Sequence, residues 1–214
     1  MRLFSVNTGM PREVEWHGRP VSTGIFKEPV QGRVAVRQLN LEGDGQADLT
    51  VHGGKDKAIY CYSTAHYDYW KKELPGRELS PGAFGENLTI DAPTDDQIFL
   101  GDRYRIGTTE TIVTQPRLPC YKLGVRFGDD GMVKRFLASG RMGFYLAVTR
   151  EGTVAAGDAM DLIERDSNAL PVSEVPRLFV AKQYTAADAT QVNKLLAAPA
   201  LPDSWKNYFR DRLP

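Results

Sequence analysis

Along most of the chain, hydrophobic positions come in short runs of β-branched and aromatic residues set between clusters of Gly, Pro, Asn and Asp. Eight such runs, at 3–7, 33–39, 57–62, 84–90, 103–106, 111–114, 142–148 and 160–163, read as strands. Two helical stretches interrupt them. Over 64–74, Tyr67, Trp70 and Leu74 recur at i, i+3 and i+7. Over 131–139, Val133, Phe136 and Leu137 share a face, with Asp129 or Asp130 as cap and Gly140 as stop. Many strands with few helices between them predict a mainly β fold, a β-barrel or sandwich with a few short helices.

From Ser167 the pattern changes. Ser173 is placed to cap a helix carrying Val175, Leu178 and Phe179, and Thr185 with Asp188 forms a capping-box pattern before Val192, Leu195 and Leu196. A third helix is expected after Pro202, with Trp205, Tyr208 and Phe209 facing inward. Helices of about ten residues are marginal alone, so their apolar stripes must pack together or onto the barrel. The expected organisation is a β-barrel domain over residues 1–165 and a small all-α three-helix appendage over 166–214. Glycine follows the same division: all 20 lie between Gly9 and Gly157. No internal repeat or low-complexity stretch is present.

Composition narrows the function classes. The 27 basic and 27 acidic side chains cancel, which removes the global electrostatic footprint expected of a nucleic-acid binder. No apolar run approaches the roughly 18 residues of a membrane span, and the first residues lack a signal-peptide pattern. No nucleic-acid or membrane partner is expected. Two cysteines, Cys61 and Cys120, are too few for a disulfide scaffold, and a reduced, cytoplasmic setting is the simplest expectation. G-x-S-x-G, Walker-type and paired C-x-x-C signatures are absent, and His17, His52 and His66 are too far apart to make a metal triad by themselves.

Three clusters carry candidate chemistry. In Gln115-Pro116-Arg117-Leu118-Pro119-Cys120-Tyr121-Lys122-Leu123, two prolines stiffen a loop after a strand and hold a cysteine between two cations. Neighbouring cations favour thiolate over thiol, and such a thiolate serves as a nucleophile or a soft-metal ligand; a buried cysteine beside an ordinary loop is the plainer alternative. In the stretch 44–57, His52-Gly53-Gly54-Lys55 and Lys57 let backbone N–H groups and ammonium charges converge on an anion, although a hairpin turn with solvated lysines explains the same residues. In Gly82-Ala83-Phe84-Gly85-Glu86-Asn87-Leu88, a turn delivers Glu86 and Asn87 to a strand end facing a cleft, or forms a bulge with a solvated carboxylate. Tyr60, Tyr62, Tyr67, Tyr69 and Trp70 have the spacing of core residues, and Cys61, mid-strand with no adjacent cation, reads as a small core residue.

Together these segments resemble the MOSC domain family, in its YiiM-like branch with a C-terminal three-helix domain. The resemblance rests on Leu41-Glu42-Gly43-Asp44, on 48–60 including Val51-His52-Gly53-Gly54, on Phe84 to Leu88, and most specifically on Pro119-Cys120-Tyr121-Lys122-Leu123. Gly24-Ile25-Phe26-Lys27 and Gly157-Asp158 also fit, so it covers essentially the whole chain. Where the family often has a glycine, this chain has Asn40, a residue that tolerates left-handed φ.

The resemblance implies a molybdenum cofactor, a pterin carrying molybdenum, with Cys120 as metal ligand and catalytic residue. It implies that Arg117, Lys122, His52, Gly53, Gly54, Lys55 and Lys57 form a wall against the cofactor's phosphate and pterin, and that Glu86 and Asn87 line the cleft. The activity it implies is reduction of N-hydroxylated small molecules, including hydroxylamino base analogues, to amines. Nothing recognisable binds flavin, haem or nicotinamide, so an external electron-donor reductase is an implied partner. The helical tail is a candidate for docking that donor, for homodimer formation or for a lid. Two other classes stay open: a cofactor or sulfur carrier using Cys120, and a non-catalytic anion-binding module.

Overall fold

The computed structural model describes residues 1–48 and 53–213. Strands β1 (Arg2–Thr8), β2 (Arg12–Trp16), β3 (Arg19–Thr23), β4 (Glu28–Pro29) and β5 (Val34–Val36) precede β6 (Ile59–Ser63) and helix α1 (Thr64–Glu73). After these come β7 (Leu88–Asp91), β8 (Arg103–Ile106), β9 (Thr109–Pro116), α2 (Tyr121–Phe127) and α3 (Met132–Ser139). The chain finishes with β10 (Phe144–Arg150), β11 (Gly152–Val154), β12 (Met160–Glu164), α4 (Glu174–Val180), α5 (Ala186–Ala197) and α6 (Asp203–Arg210). No described helix is long and apolar enough to cross a membrane.

Eight strands make one sheet in the order β12–β8–β9–β10–β6–β7–β1–β4, with β11–β5 and β2–β3 as separate two-stranded pairs. Every pair in the large sheet is antiparallel except β6–β7, where Cys61 lies opposite Leu88. A parallel pair needs a crossover, and α1 supplies it. The expected barrel is therefore corrected to a mixed α/β architecture around an open sheet. The edges explain why it stays open. β4 is two residues long and ends in Pro29, which has no N–H to extend a ladder. On the other side the start of β1 meets the chain just before β12 through the Arg2–Ala159 bridge and three backbone hydrogen bonds, Leu3 N–H to Asp158, Gly157 N–H to Leu3 and Met160 N–H to Met1, without a strand-length ladder.

Most predicted strands and both mid-chain helices are present. The run at 84–90 starts its strand only at Leu88, because Gly82 and Gly85 adopt positive φ, 85° and 83°, in a tight turn. The β2–β3 hairpin carries no apolar run that would mark it in the sequence, because its residues are mostly exposed. The proline-stiffened loop expected over 115–123 is shorter than that: helix α2 already begins at Tyr121. Asn40 keeps negative φ, since among the described residues His17 is the only non-glycine with positive φ. Asn40 holds its turn instead by donating from Nδ2 to the Asp44 carbonyl at 3.3 Å.

Two apolar clusters flank the sheet. One joins Leu3, Ile59, Val113 and Leu146 to Leu178, Leu195, Trp205 and Phe209, so the C-terminal helices share a core with the strands. Trp205 Nε1 donates to Gln115 Oε1 at 2.7 Å, and Phe99 bridges Pro171. The other is aromatic: Tyr62, Trp70, Phe84 and Phe136 pack under α1 and α3, with Trp70 and Phe136 stacked at 5.8 Å. The capping box at Thr185 and Asp188 is present in full, whereas Ser173 makes no side-chain cap bond. Thr185→Ala is expected to cost about 1 kcal/mol, read as a lower midpoint in thermal unfolding followed by circular dichroism.

Candidate functional site

The site forms where the central strands end. β9 terminates at Pro116, and the chain turns through Arg117 and Cys120 into α2. The Arg117 N–H donates to the Gly143 carbonyl at 3.2 Å, which fixes the turn against the start of β10. Gly143 has φ of 65°, and a Cβ there would lie 2.4 Å from the Cys61 carbonyl oxygen, so the approach needs glycine. This turn, the 23–27 segment and the 45–47 loop enclose a cleft with about 100 Å³ of interior space.

Arg117 is the electrostatic centre. It is only 6 % exposed, with its guanidinium carbon 5.1 Å from the Tyr60 ring centroid and 5.2 Å from that of Phe136. Burial opposes its charge, but Tyr60, Tyr145 and Cys120 around it offset this, and its pKa lies above the ordinary arginine value. Its Nη1 is buried without a hydrogen-bond partner. Burial raises the pKa of the Tyr145 hydroxyl, and the Arg117 charge resists that rise. Both tyrosines line the cleft as neutral phenols.

The opposite wall is a buried polar network. Lys27 pairs with Asp44, which also accepts from the Gly9 N–H at 3.0 Å and from Asn87 Nδ2 at 2.9 Å. Burial lowers the Lys27 pKa, and Asp44 pulls it back. Asn87 Oδ1 accepts from the Tyr60 N–H at 3.0 Å, which fixes the amide orientation. Here Gly24 meets Gly45 so closely that a Cβ on Gly24 would lie 2.3 Å from the Gly45 carbonyl oxygen.

The structure brings Arg117, Cys120, Lys122, Gly53, Lys57 and Asn87 to one cleft. Cys120 is half-buried at the residue before α2. Gly54 and Lys55 are exposed and do not line it, and His52 lies outside the described residues. Glu86 does not line it either. Its carboxylate points away, accepting from Tyr67 Oη, from the Gly82 N–H at 2.8 Å, from the Phe84 N–H at 3.1 Å and from Thr89 Oγ1 at 2.8 Å. The reason is the turn before β7: with Gly82 and Gly85 at positive φ, residues 82–86 fold back so that the Glu86 carboxylate receives the N–H groups of its own turn, while Asn87, next to the strand, faces the cleft. Among the described residues no three His, Cys, Asp or Glu side chains gather into a metal site. A soft metal in this cleft would take one protein thiolate and its other ligands from the molecule that carries it.

Residues 48–161 match the family model described as MOSC domain. The chain belongs to the MOSC domain family. Residues 185–213 of this MOSC chain match a second model, the YiiM-like, 3-alpha helix domain. It is 38 % identical to the uncharacterized protein YflK of Bacillus subtilis (strain 168), over 99 % of this chain and 95 % of that one. It superposes on the crystal structure of YiiM from Geobacillus stearothermophilus with a TM-score of 0.81 and 34 % identity, covering 100 % of this chain and 99 % of the other. A protein of Gibberella moniliformis (strain M3125 / FGSC 7600) named "Reductase" is 32 % identical over 82 % of this chain, which spans 32 % of its length.

Several cleft residues of this MOSC chain escaped sequence reading. The spacing of Tyr60 marks it as core, and it does both jobs: its hydroxyl donates to the Met142 carbonyl at 2.9 Å while it lines the cleft. Tyr145 gave no signal beyond strand alternation. Lys27 gave one, a lone cation between Ile25–Phe26 and a proline-bounded turn, and only its buried partner Asp44 makes it legible. Tyr62 and Trp70 are core, as their spacing predicts. Cys61 is fully buried, and burial pushes its thiol pKa up, so the two cysteines are chemically distinct.

Proposed function

We propose that the cleft holds a pterin-based molybdenum cofactor with Cys120 as metal ligand, and that the chain reduces N-hydroxylated compounds to amines. The observation that carries this reading is Arg117, a buried guanidinium with an unpartnered Nη1 in the same cleft as the half-buried Cys120 thiol. Such a cation is already stripped of water and one acceptor short, so a bound anion gains a charge-assisted hydrogen bond with little further desolvation. The donor set fits the group: a thiolate for the metal, Arg117, Lys57 and Lys122 for a phosphate, and Asn87 with the two tyrosines for the polar edges of a pterin.

When bound, the cofactor supplies two-electron redox chemistry that no side chain provides. In the net reaction the N–O bond of R–NHOH breaks, two electrons and two protons are taken up, and R–NH2 and water leave. An external electron-donor reductase supplies the electrons. The chain itself holds the anionic ligand against Arg117, keeps Lys27 neutralised by Asp44, and fixes the Asn87 amide through Tyr60. The name of the fungal relative is consistent with reductive chemistry.

The test is expression in a molybdenum-replete host, followed by elemental analysis and turnover of an N-hydroxylated purine with an artificial reductant. Near-stoichiometric molybdenum with amine formation is the expected result. Bound molybdenum without turnover overturns the reductase in favour of a carrier, and protein that binds phosphate but never molybdenum favours an anion-binding module.

A further inference from the structure

Helix α2 carries basic side chains at Lys122 and Arg126. Positions i and i+4 share a helix face, so Arg126 lies one turn from Lys122, which lines the cleft, on the same face of α2. There it meets a third cation from the β2–β3 hairpin. The guanidinium carbons of Arg12 and Arg126 lie 4.1 and 5.1 Å from the centroid of the same ring, Phe26. Phe26 stands in the chain between Ile25 and Lys27, both of which line the cleft. Pro11, next to Arg12, packs at Gly45, another lining residue.

Two guanidinium groups on one ring lie within a Debye length of each other, about 10 Å at 0.1 M salt, so salt screens their repulsion only in part. Arg126 registers the strain. Burial lowers its pKa first and Arg12 second, with Tyr67, Glu86 and Glu28 only partly opposing. Its Nε is buried without a hydrogen-bond partner. Other arginines of the chain have carboxylate partners: Arg165 has Asp102, Arg33 has Asp158, and Arg177 has Glu174 and Asp188. Among the described residues no carboxylate forms an ion pair with Arg12 or Arg126. The Phe26 ring offsets part of the charge, but a ring face does not satisfy a guanidinium N–H in its plane.

We infer that Arg12, Phe26 and Arg126 form an outer subsite that receives a phosphate group on the molecule held in the cleft. A phosphate offers acceptor oxygens and negative charge to both guanidinium groups, and the Lys122–Arg126 face connects it with Arg117. This rests on the proposed ligand occupying the cleft. Two sources share the chemistry: a phosphate ester of the N-hydroxylated substrate, which makes nucleotides rather than free bases the preferred class, or a phosphate of the cofactor.

Inorganic pyrophosphate is the direct probe, measured by calorimetry on the full chain as purified. The Arg12→Gln/Arg126→Gln double variant is expected to bind it at least tenfold more weakly than wild type. Arg126→Lys, which keeps the charge, should retain most of the affinity, and Arg103→Gln/Arg210→Gln, outside the cleft lining, should leave it unchanged. Thermal midpoints verify that the variants are folded. Wild type that does not bind pyrophosphate, a double variant within twofold of wild type, or an equal loss in the control pair would overturn the subsite. If the phosphate belongs to the substrate, KM rises about tenfold for the phosphorylated substrate and not for the free base, with molybdenum content unchanged. If it belongs to the cofactor, molybdenum content falls and the ratio of the two KM values stays put. A pyrophosphate loss confined to the double variant, in protein that never acquires molybdenum, leaves the subsite standing and rejects the cofactor reading instead.

Discussion

Cys120→Ala is expected to reduce molybdenum to background and turnover by at least about 100-fold, since loss of an outer-shell partner alone costs 10–100-fold at metal sites. The thiol is half-buried at the turn into α2 and packs in neither apolar cluster. Its removal is therefore expected to change stability by about 0.5 kcal/mol or less. The informative comparison is Cys61→Ala. Cys61 lies fully buried in β6, with a thiol that burial holds protonated. That variant should keep its molybdenum and lose stability through the cavity it leaves. The opposite assignment, metal retained without Cys120 and lost without Cys61, would reject the ligand proposed here. Elemental analysis beside thermal unfolding reads both outcomes on the same samples.

The second large effect concerns stability. Glu86→Ala removes the acceptor of four donors, the Tyr67 and Thr89 hydroxyls and the Gly82 and Phe84 N–H groups. Each buried orphan costs about 1–3 kcal/mol, so a total loss of about 3 kcal/mol or more is expected even after partial rehydration. In a chain of this size that lowers the unfolding midpoint by roughly 6–12 °C. Glu86→Gln separates charge from hydrogen bonding. Burial raises the Glu86 pKa, with its hydrogen bonds opposing the rise. The protonated form is thus favoured by folding. Its stability contribution is fully present below the unfolded carboxylate value, near 4.3, and is lost as pH rises through the higher folded value. The wild type should lose stability over that interval with a slope of at most about 1.4 kcal/mol per pH unit from this group. The glutamine variant should lack that component. An unchanged pH profile in Glu86→Gln would reject the raised pKa. Because Glu86 anchors the turn that sets Gly85 and Asn87 on the cleft wall, both variants should also weaken pyrophosphate binding.

Much of the architecture was legible because it depends on local pattern. The short β-branched runs became β1, β6, β8, β9, β10 and β12, and Thr185 with Asp188 capped α5 as a capping box should. What failed had a physical cause in each case. The β2–β3 hairpin is mostly exposed and so lacks an apolar stripe. Helix α2 is stabilised by packing of Leu123 and Phe127 into the aromatic cluster, against the local signals of Pro119 and Gly124. Barrel closure depends on how two distant edges meet, and a two-residue β4 ending in Pro29 cannot extend that meeting.

By itself the sequence determined the strand-rich body, the three helices of the tail and the family, and it singled out Arg117, Cys120 and Lys122. Those properties follow from neighbours along the chain: periodicity, caps, and a cysteine held between two cations. Tertiary structure decided which groups share a cleft. It turned Glu86 inward and Asn87 outward, put Lys27 against Asp44, and recruited Tyr60 and Tyr145 around Arg117. It also set Arg12 and Arg126 beside one phenylalanine ring, from positions more than a hundred residues apart. Burial, pairing and orientation are properties of neighbours in space, and no local pattern in the chain encodes them.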